Sequence, residues 1–266
     1  MEEESLRMKL KSFKNAMIQL FRTWITAIGH IIYRSSFSLL FDPKGAQKFL
    51  HCVLNTRDTE EDDPVLKTID VSELLNNQDL DISILDSSYK SYSSETRLLK
   101  EISSLAYMVK VLKPNIVFET GTFIGRTTRL FANNSPELCE IFTLDLPQHK
   151  VPHQIGKEFM NTPQAKKITQ LYGDSRKFDF SKWYGKCDFV WIDGCHDYDF
   201  VLRDTENALK LCSPNGWITW HDYRHTAWWS GVTRCVRELY KSHPNIVHLK
   251  STTIAVLPGR NNKEIS

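Results

Sequence analysis

The feature that most constrains this chain is a series of short apolar or β-rich runs at 116–119, 141–145, 168–172, 189–193 and 217–222, each closing on a polar residue. Runs of this length are strands rather than helices. Segments of helical character separate most of them, clearest over 200–211, so the alternation is strand, helix, strand and the sheet is expected to be mostly parallel. Ahead of the first run, Leu98, Leu99, Ile102, Leu105, Ala106, Val109 and Leu112 recur at helical spacing until Pro114 stops them. Behind the last, a helix over 231–241 and two runs at 246–250 and 253–257 read as a helix plus an antiparallel hairpin closing the sheet edge. The expected fold is α/β: a doubly wound, three-layer, mostly parallel sheet over about 93–260.

A chain of 266 residues can build such a core unaided. Its 34 basic and 32 acidic residues leave +2, too little for a nucleic-acid backbone to be the partner of the whole chain. The basic surplus is local. Residues 5–50 carry Arg7, Lys9, Lys11, Lys14, Arg22, Arg34, Lys44 and Lys48 against the single acid Asp42, interleaved with apolar residues. We read 1–57 as a basic amphipathic helical segment that packs on the main domain or on a partner subunit; the other reading is peripheral contact with an anionic membrane surface. The stretch from Trp24 to Tyr33 is too short to span a bilayer and is broken by His30. Residues 58–92, opening on the run D-T-E-E-D-D, read as an acidic solvated linker with a short helix near 71–76, and 261–266 as a tail. The six cysteines form no C-x-x-C pair, so reduced thiols are the simplest expectation and the location cytoplasmic, with membrane association as the variant.

The ends of all five strands carry candidate chemistry. The first strand runs into Glu119-Thr120-Gly121-Thr122-Phe123-Ile124-Gly125, where glycines permit positive φ and let a ligand approach the backbone, and the helix that follows offers free N–H groups. The spacing is not G-x-G-x-x-G and no P-loop lysine is present, so dinucleotide and triphosphate binding lose support. An acid opening the loop would suit a ligand carrying positive charge. The second strand ends in Asp145, some twenty residues after Gly125, where a carboxylate can accept both hydroxyls of a ribose. The third ends in Gly173-Asp174-Ser175, suited to an adenine edge or to a simple turn. Asp193 and Asp222 end successive strands and should be neighbours in one crevice, with His196 beside them. Two carboxylates and an imidazole suit a hard cation such as Mg²⁺. A zinc site from Cys195, His196 and His221 fits no structural-zinc spacing.

The succession E-T-G-T-F-I-G, T-L-D, Y-G-D-S, D-F-V-W-I-D-G-C-H-D-Y and N-G-W-I-T-W-H-D-Y resembles the class I S-adenosylmethionine-dependent methyltransferases, and among them the small-molecule O-methyltransferase branch with an I-D-G-x-H-x-Y strand end. The resemblance runs over about 115–223 and implies a Rossmann-like class I methyltransferase fold for 93–260. It implies that Glu119, Gly121 and Thr122 line the methionine part of the cofactor, that Gly125 allows the turn into the helix, that Asp145 holds the ribose, and that Asp174 and Ser175 flank the adenine. Metal-dependent relatives bind a divalent cation through the acids that align with Asp193 and Asp222. Where they carry a lysine base this chain has His196, which takes up protons near neutrality. Where they carry a carboxamide after the fifth-strand acid it has Tyr223, one hard ligand fewer.

The expected function is therefore S-adenosylmethionine-dependent O-methylation of a hydroxylated small molecule, with His196 and Asp193 as catalytic residues and Asp193 and Asp222 as metal ligands. The competing readings are a hydroxylase-like relative on the same scaffold and a regulatory protein that binds the cofactor without catalysis. A nucleic-acid methyltransferase ranks lower, since no N-P-P-Y-type tetrapeptide is present. Trp217, Trp220, Trp228 and Trp229 read as core or as an apolar wall over the substrate; Arg224, Arg234 and Arg237 as contacts to an acidic group or as a solvated face. A homo-oligomer is compatible with all of these.

Overall fold

The computed structural model describes residues 63–76, 89, 96–224 and 230–259; the segment 1–57, the tail 261–266, Trp228 and Trp229 lie outside them. The described residues fall in one compact unit spanning Asp58–His225 and Trp229–Ser266. In chain order they form β1 (Lys67–Ile69), α1 (Val71–Leu74), α2 (Thr96–Leu112), β2 (Ile116–Thr120), α3 (Arg126–Asn134), β3 (Glu140–Asp145), β4 (Ile168–Tyr172), β5 (Cys187–Ile192), α4 (Tyr198–Leu211), β6 (Cys212–Trp220), α5 (Ser230–Tyr240), β7 (Val247–Leu249) and β8 (Ala255–Leu257). The sheet has eight strands in the order β1-β7-β8-β6-β5-β2-β3-β4. Pairing is parallel except where β8 runs against β6 and β7.

The five expected strands and the C-terminal hairpin are all present. The hairpin does not close the edge, however: β1 pairs in parallel with β7 beyond it, Lys67 opposite Val247 and Ile69 opposite Leu249. That three-residue strand lies in the stretch read as linker, and it is too short to show a periodicity. Nor is the end of the acidic run solvated. Asp63 is buried, its Oδ1 accepts the backbone N–H groups of Val65 and Leu66, and the guanidinium of Arg237 lies 3.5 Å away. α-Helices separate β2 from β3 and β5 from β6, whereas the β3–β4 and β4–β5 connections carry only 3₁₀ turns at Gln148–Lys150, Pro163–Lys167 and Ser181–Trp183. Pro147, Pro152, Gly156 and Pro163 interrupt any helix in the first of these.

Alternation along each strand divides the core into two layers. Val117, Ile141, Phe189, Trp191 and Trp217 face the cluster built on α2 and α3, with Met108, Leu130 and Phe131. Phe118, Phe142, Val190, Ile192, Ile218 and Trp220 face the cluster of α4 and α5, with Phe180, Trp183 and Val236. Fully burying such side chains contributes about 1.5–3 kcal/mol each before entropy is counted. Trp217 and Trp220 are thus core, and the Trp220 indole N–H donates to Thr205 at 2.9 Å. Strand order reverses between β5 and β2, and above that point the chain leaves the sheet in four successive loops.

Candidate functional site

Those loops are tied together by continuations of the sheet's own hydrogen bonding. The N–H of Gly121 donates to Leu144 O, that of Asp193 to Thr120 O, that of Gly173 to Asp145 O and that of His221 to Ile192 O, at 2.8–3.1 Å. The residue just past β2, β4, β5 and β6 is therefore held by a carbonyl at the end of the neighbouring strand. Between the loops lies a cavity of about 470 Å³, a size that suits a small-molecule ligand. Gly121, Thr122, Asp145, Asp174, Ser175, Asp193 and His196 all line it.

Gly121 has φ +94°, and a Cβ there would stand 2.0 Å from the carbonyl oxygen of Asp193, so only glycine fits. Gly125, at φ +86°, opens α3 without a side-chain cap. It does not line the cavity but lets the turn close, and the N-terminal residues Arg126 and Thr127 reach the cavity wall. Asp145 is braced at the end of β3, where its Oδ2 accepts the N–H of Phe123 at 2.7 Å and its Oδ1 that of Leu146 at 2.6 Å. Phe123 is exposed and lies against His153, ring centroids 4.4 Å apart, at the cavity mouth.

Glu119 is set apart from the others. It follows Val117 on the α3 side of the sheet, is fully buried and does not line the cavity. Thr128 and Thr143 donate to its Oε2 at 2.5 and 2.6 Å, and its Oε1 is buried without a partner. Burial pushes its pKa up to about 8, against those two hydroxyls and with help from Asp193 and Asp145, so the carboxyl is protonated at neutral pH. Asp174 is likewise engaged. The side chain of Arg176 donates to both of its oxygens, at 3.0 and 2.7 Å, and holds its pKa down to about 2.

Asp193, His196 and Asp222 each offer one ligand atom, all within 4.8 Å of one another. His196 Nε2 stands 2.8 Å from Asp222 Oδ2. Asp222 is in the left-handed region at φ +58°, and its carboxylate meets His196 of the loop after β5. Tyr223 points away: it is buried, hydrogen-bonded to Asp63 and 3.4 Å from Arg237 Nε. Arg224 and Arg237 lie toward Asp63, and Arg234 pairs with Glu238 over the ring of Tyr198, so none of the three arginines lines the cavity.

Two further groups complete the cluster. His221 Nδ1 lies 3.0 Å from Asp193 Oδ1, and its Nε2 lies 3.6 Å from Glu101 Oε2. Burial disfavours charge on this imidazole, but Asp193, Glu101 and Asp222 outweigh it and raise its pKa well above the usual value. Burial likewise works against ionisation of Glu101, yet His221 and Thr253 bring its pKa below the ordinary carboxylate range. Glu101 sits among Leu98, Ile102 and Leu105 on the inward face of α2. An acid on an apolar helix face was the available signal for it.

Comparison with known proteins places this geometry. Residues 118–223 match the family model described as a methyltransferase domain. A Staphylococcus aureus protein provisionally assigned as a caffeoyl-CoA O-methyltransferase is 13% identical, with 65% of this chain and 93% of that one covered at a TM-score of 0.51. An O-methyltransferase from Bacillus cereus in complex with SAH is 19% identical (71% and 94% covered, TM-score 0.47). The O-methyltransferase TomG from Streptomyces achromogenes, in complex with SAM, is 16% identical (71% and 93%, TM-score 0.47). A search of the curated proteins found no match. The fold is the Rossmann-like fold of class I methyltransferases. The stretch that carries the cavity is the one that matches the methyltransferase-domain model.

Proposed function

We propose that the protein transfers the methyl group of S-adenosylmethionine to a hydroxyl of a small molecule. The observation that carries this reading is the convergence of Gly121, Thr122, Asp145, Asp174 and Ser175 on one cavity whose wall also holds Asp193 and His196. Gly121 and the open start of α3 receive the amino-acid end of the cofactor, and Asp145 receives the ribose hydroxyls. That order points the sulfonium at the Asp193, His196 and Asp222 cluster.

His196 takes the proton from the acceptor hydroxyl as the oxygen attacks the methyl carbon, and Asp222, 2.8 Å from Nε2, stabilises the imidazolium that forms. The electron pair of the breaking carbon–sulfur bond returns to sulfur, leaving S-adenosylhomocysteine. Most of the rate comes from alignment and from exclusion of water. The carboxylates of Asp193 and Asp222, whose ligand atoms lie within 4.8 Å of each other, fit a divalent cation such as Mg²⁺: they would hold it, and it would lower the pKa of a bound hydroxyl, with His196 beside them as the base. Among the described residues no helix is long and apolar enough to cross a membrane. Peripheral membrane contact through 5–50 and self-association are compatible with this reading.

Calorimetry with S-adenosylmethionine and S-adenosylhomocysteine, followed by mass-spectrometric screening of hydroxylated metabolites with cofactor, tests the proposal. The expected result is binding of both nucleosides and a gain of one methyl group by a hydroxylated compound. Absence of nucleoside binding would overturn it.

A further inference from the structure

The base end of the cavity holds a carboxyl group that the motif pattern does not reach. Asp204, on α4, is 2% exposed and lines the cavity beside Ser175, Gly194 and Phe200. A Cβ on Gly194 would come within 3.3 Å of its Oδ2, so the missing side chain at 194 is what leaves room above the acid. Its Oδ1 is buried with no hydrogen-bond partner. A buried carboxyl oxygen without a donor is costly, and such a group facing a ligand cavity is accounted for by a donor that arrives with the ligand.

The geometry points to Asp204 as the residue that reads the exocyclic amino group of the cofactor's adenine. This rests on the nucleoside reading above. With the ribose at Asp145 and the amino-acid end at Gly121, the base extends toward the wall made by Asp174, Ser175 and Asp204. Its amino group is the one donor at that end. Asp174, the acid expected there from the sequence, already accepts three donors of Arg176: the backbone N–H at 3.0 Å, Nε at 3.0 Å and Nη2 at 2.7 Å. Its remaining capacity is small, whereas Asp204 has an oxygen to give. Burial raises the Asp204 pKa to about 6, with Ser175 offsetting part of the rise, so the group is mostly an acceptor at pH 7.5.

The test compares S-adenosylhomocysteine with S-inosylhomocysteine, in which a carbonyl replaces the amino group, by calorimetry at pH 7.5. The wild-type protein is expected to bind the adenine compound at least tenfold more tightly. Asp204→Asn, whose amide can also donate to the carbonyl, is expected to bring the two affinities within threefold or to reverse them, while Asp174→Asn keeps the preference. A wild-type preference below tenfold, with Asp204 holding only water, overturns the assignment. So does a preference that survives in Asp204→Asn or is lost in Asp174→Asn. Should Asp204→Asn not fold, the wild-type ratio and the Asp174→Asn ratio still decide. Failure of the wild-type protein to bind either nucleoside overturns the methyltransferase reading itself, a result distinct from equal binding of both.

Discussion

The imidazole of His221 and the carboxylate of Asp193 meet at 3.0 Å, joining the loop after β6 to the loop after β5. Behind His221 stands Glu101, whose other oxygen accepts the N–H of Thr253 at 2.7 Å. Asp193 is thus positioned through a chain that begins on α2. His221→Ala leaves the buried Glu101 with only the exposed Arg97, 3.9 Å away, as a cationic neighbour and is expected to cost about 1–3 kcal/mol in urea unfolding. Adding Glu101→Gln should recover part of that loss, since no buried charge then stands alone. A double variant whose losses simply add would remove the coupling.

Glu119 gives the fold a pH dependence of its own. Its folded-state pKa of about 8 lies above the usual 4.5, so between these values the folded protein keeps a proton that the unfolded chain releases. Its contribution is fully present below pH 4.5 and is lost as pH rises through about 8, at up to about 1.4 kcal/mol per pH unit. In Glu119→Gln, unfolding free energies measured from pH 5 to 8 should show a flatter decline than the wild type. Parallel curves would place the proton elsewhere.

Gly121→Ala should both destabilise the domain and abolish cofactor binding. The added methyl would meet the backbone of Asp193 at 2.0 Å, and the φ of +94° disfavours any side chain. A loss above about 2 kcal/mol is expected from strain of this kind. Thermal unfolding and calorimetry on the same sample check both halves.

Asp145→Ala is expected to weaken S-adenosylhomocysteine binding at least tenfold, because it removes the carboxylate proposed to accept the ribose hydroxyls and the brace on the Phe123 N–H. Unchanged affinity would remove Asp145 from the nucleoside site.

His196→Ala should lower turnover far more than cofactor affinity, once an acceptor is in hand. Chelator should depress turnover and Mg²⁺ restore it. Turnover equal to wild type rejects His196 as the base, and chelator-insensitive turnover rejects the cation.

Much of the fold was legible because its strands end where apolar runs give way to polar residues, and that punctuation survives in a linear string. The boundaries of β4 follow directly from the run at 168–172. The edge strand β1 was not legible, since three residues that pass from exposed Lys67 to buried Ile69 look like any loop, and its pairing depends on β7, some 180 residues away. In the site, Gly121, Asp145 and Asp193 lie where the spacing put them, at strand ends facing one cavity. Glu119 shows the limit of such spacing: being one residue short of the strand end places it on the α3 face rather than in the cavity. Asp204 and Glu101 were hidden for a different reason. Asp204 lies within a helix, where a single acid reads as surface, and Glu101 lies on the apolar face of α2, which signals burial but names no partner until the neighbouring layer is known.

The ring of Phe159 stands where side chains on Gly125 and Gly156 would be, 2.5 Å from a Cβ on the first and 2.6 Å from one on the second. One aromatic residue in a loop without α-helix therefore sets how closely two distant turns nest. Trimming that ring would loosen the start of α3 without touching any residue of the cavity, and widening either glycine would push the same wedge outward. Substitution at Phe159 is in this way felt at Arg126 and Thr127, which line the cavity, although Phe159 itself does not.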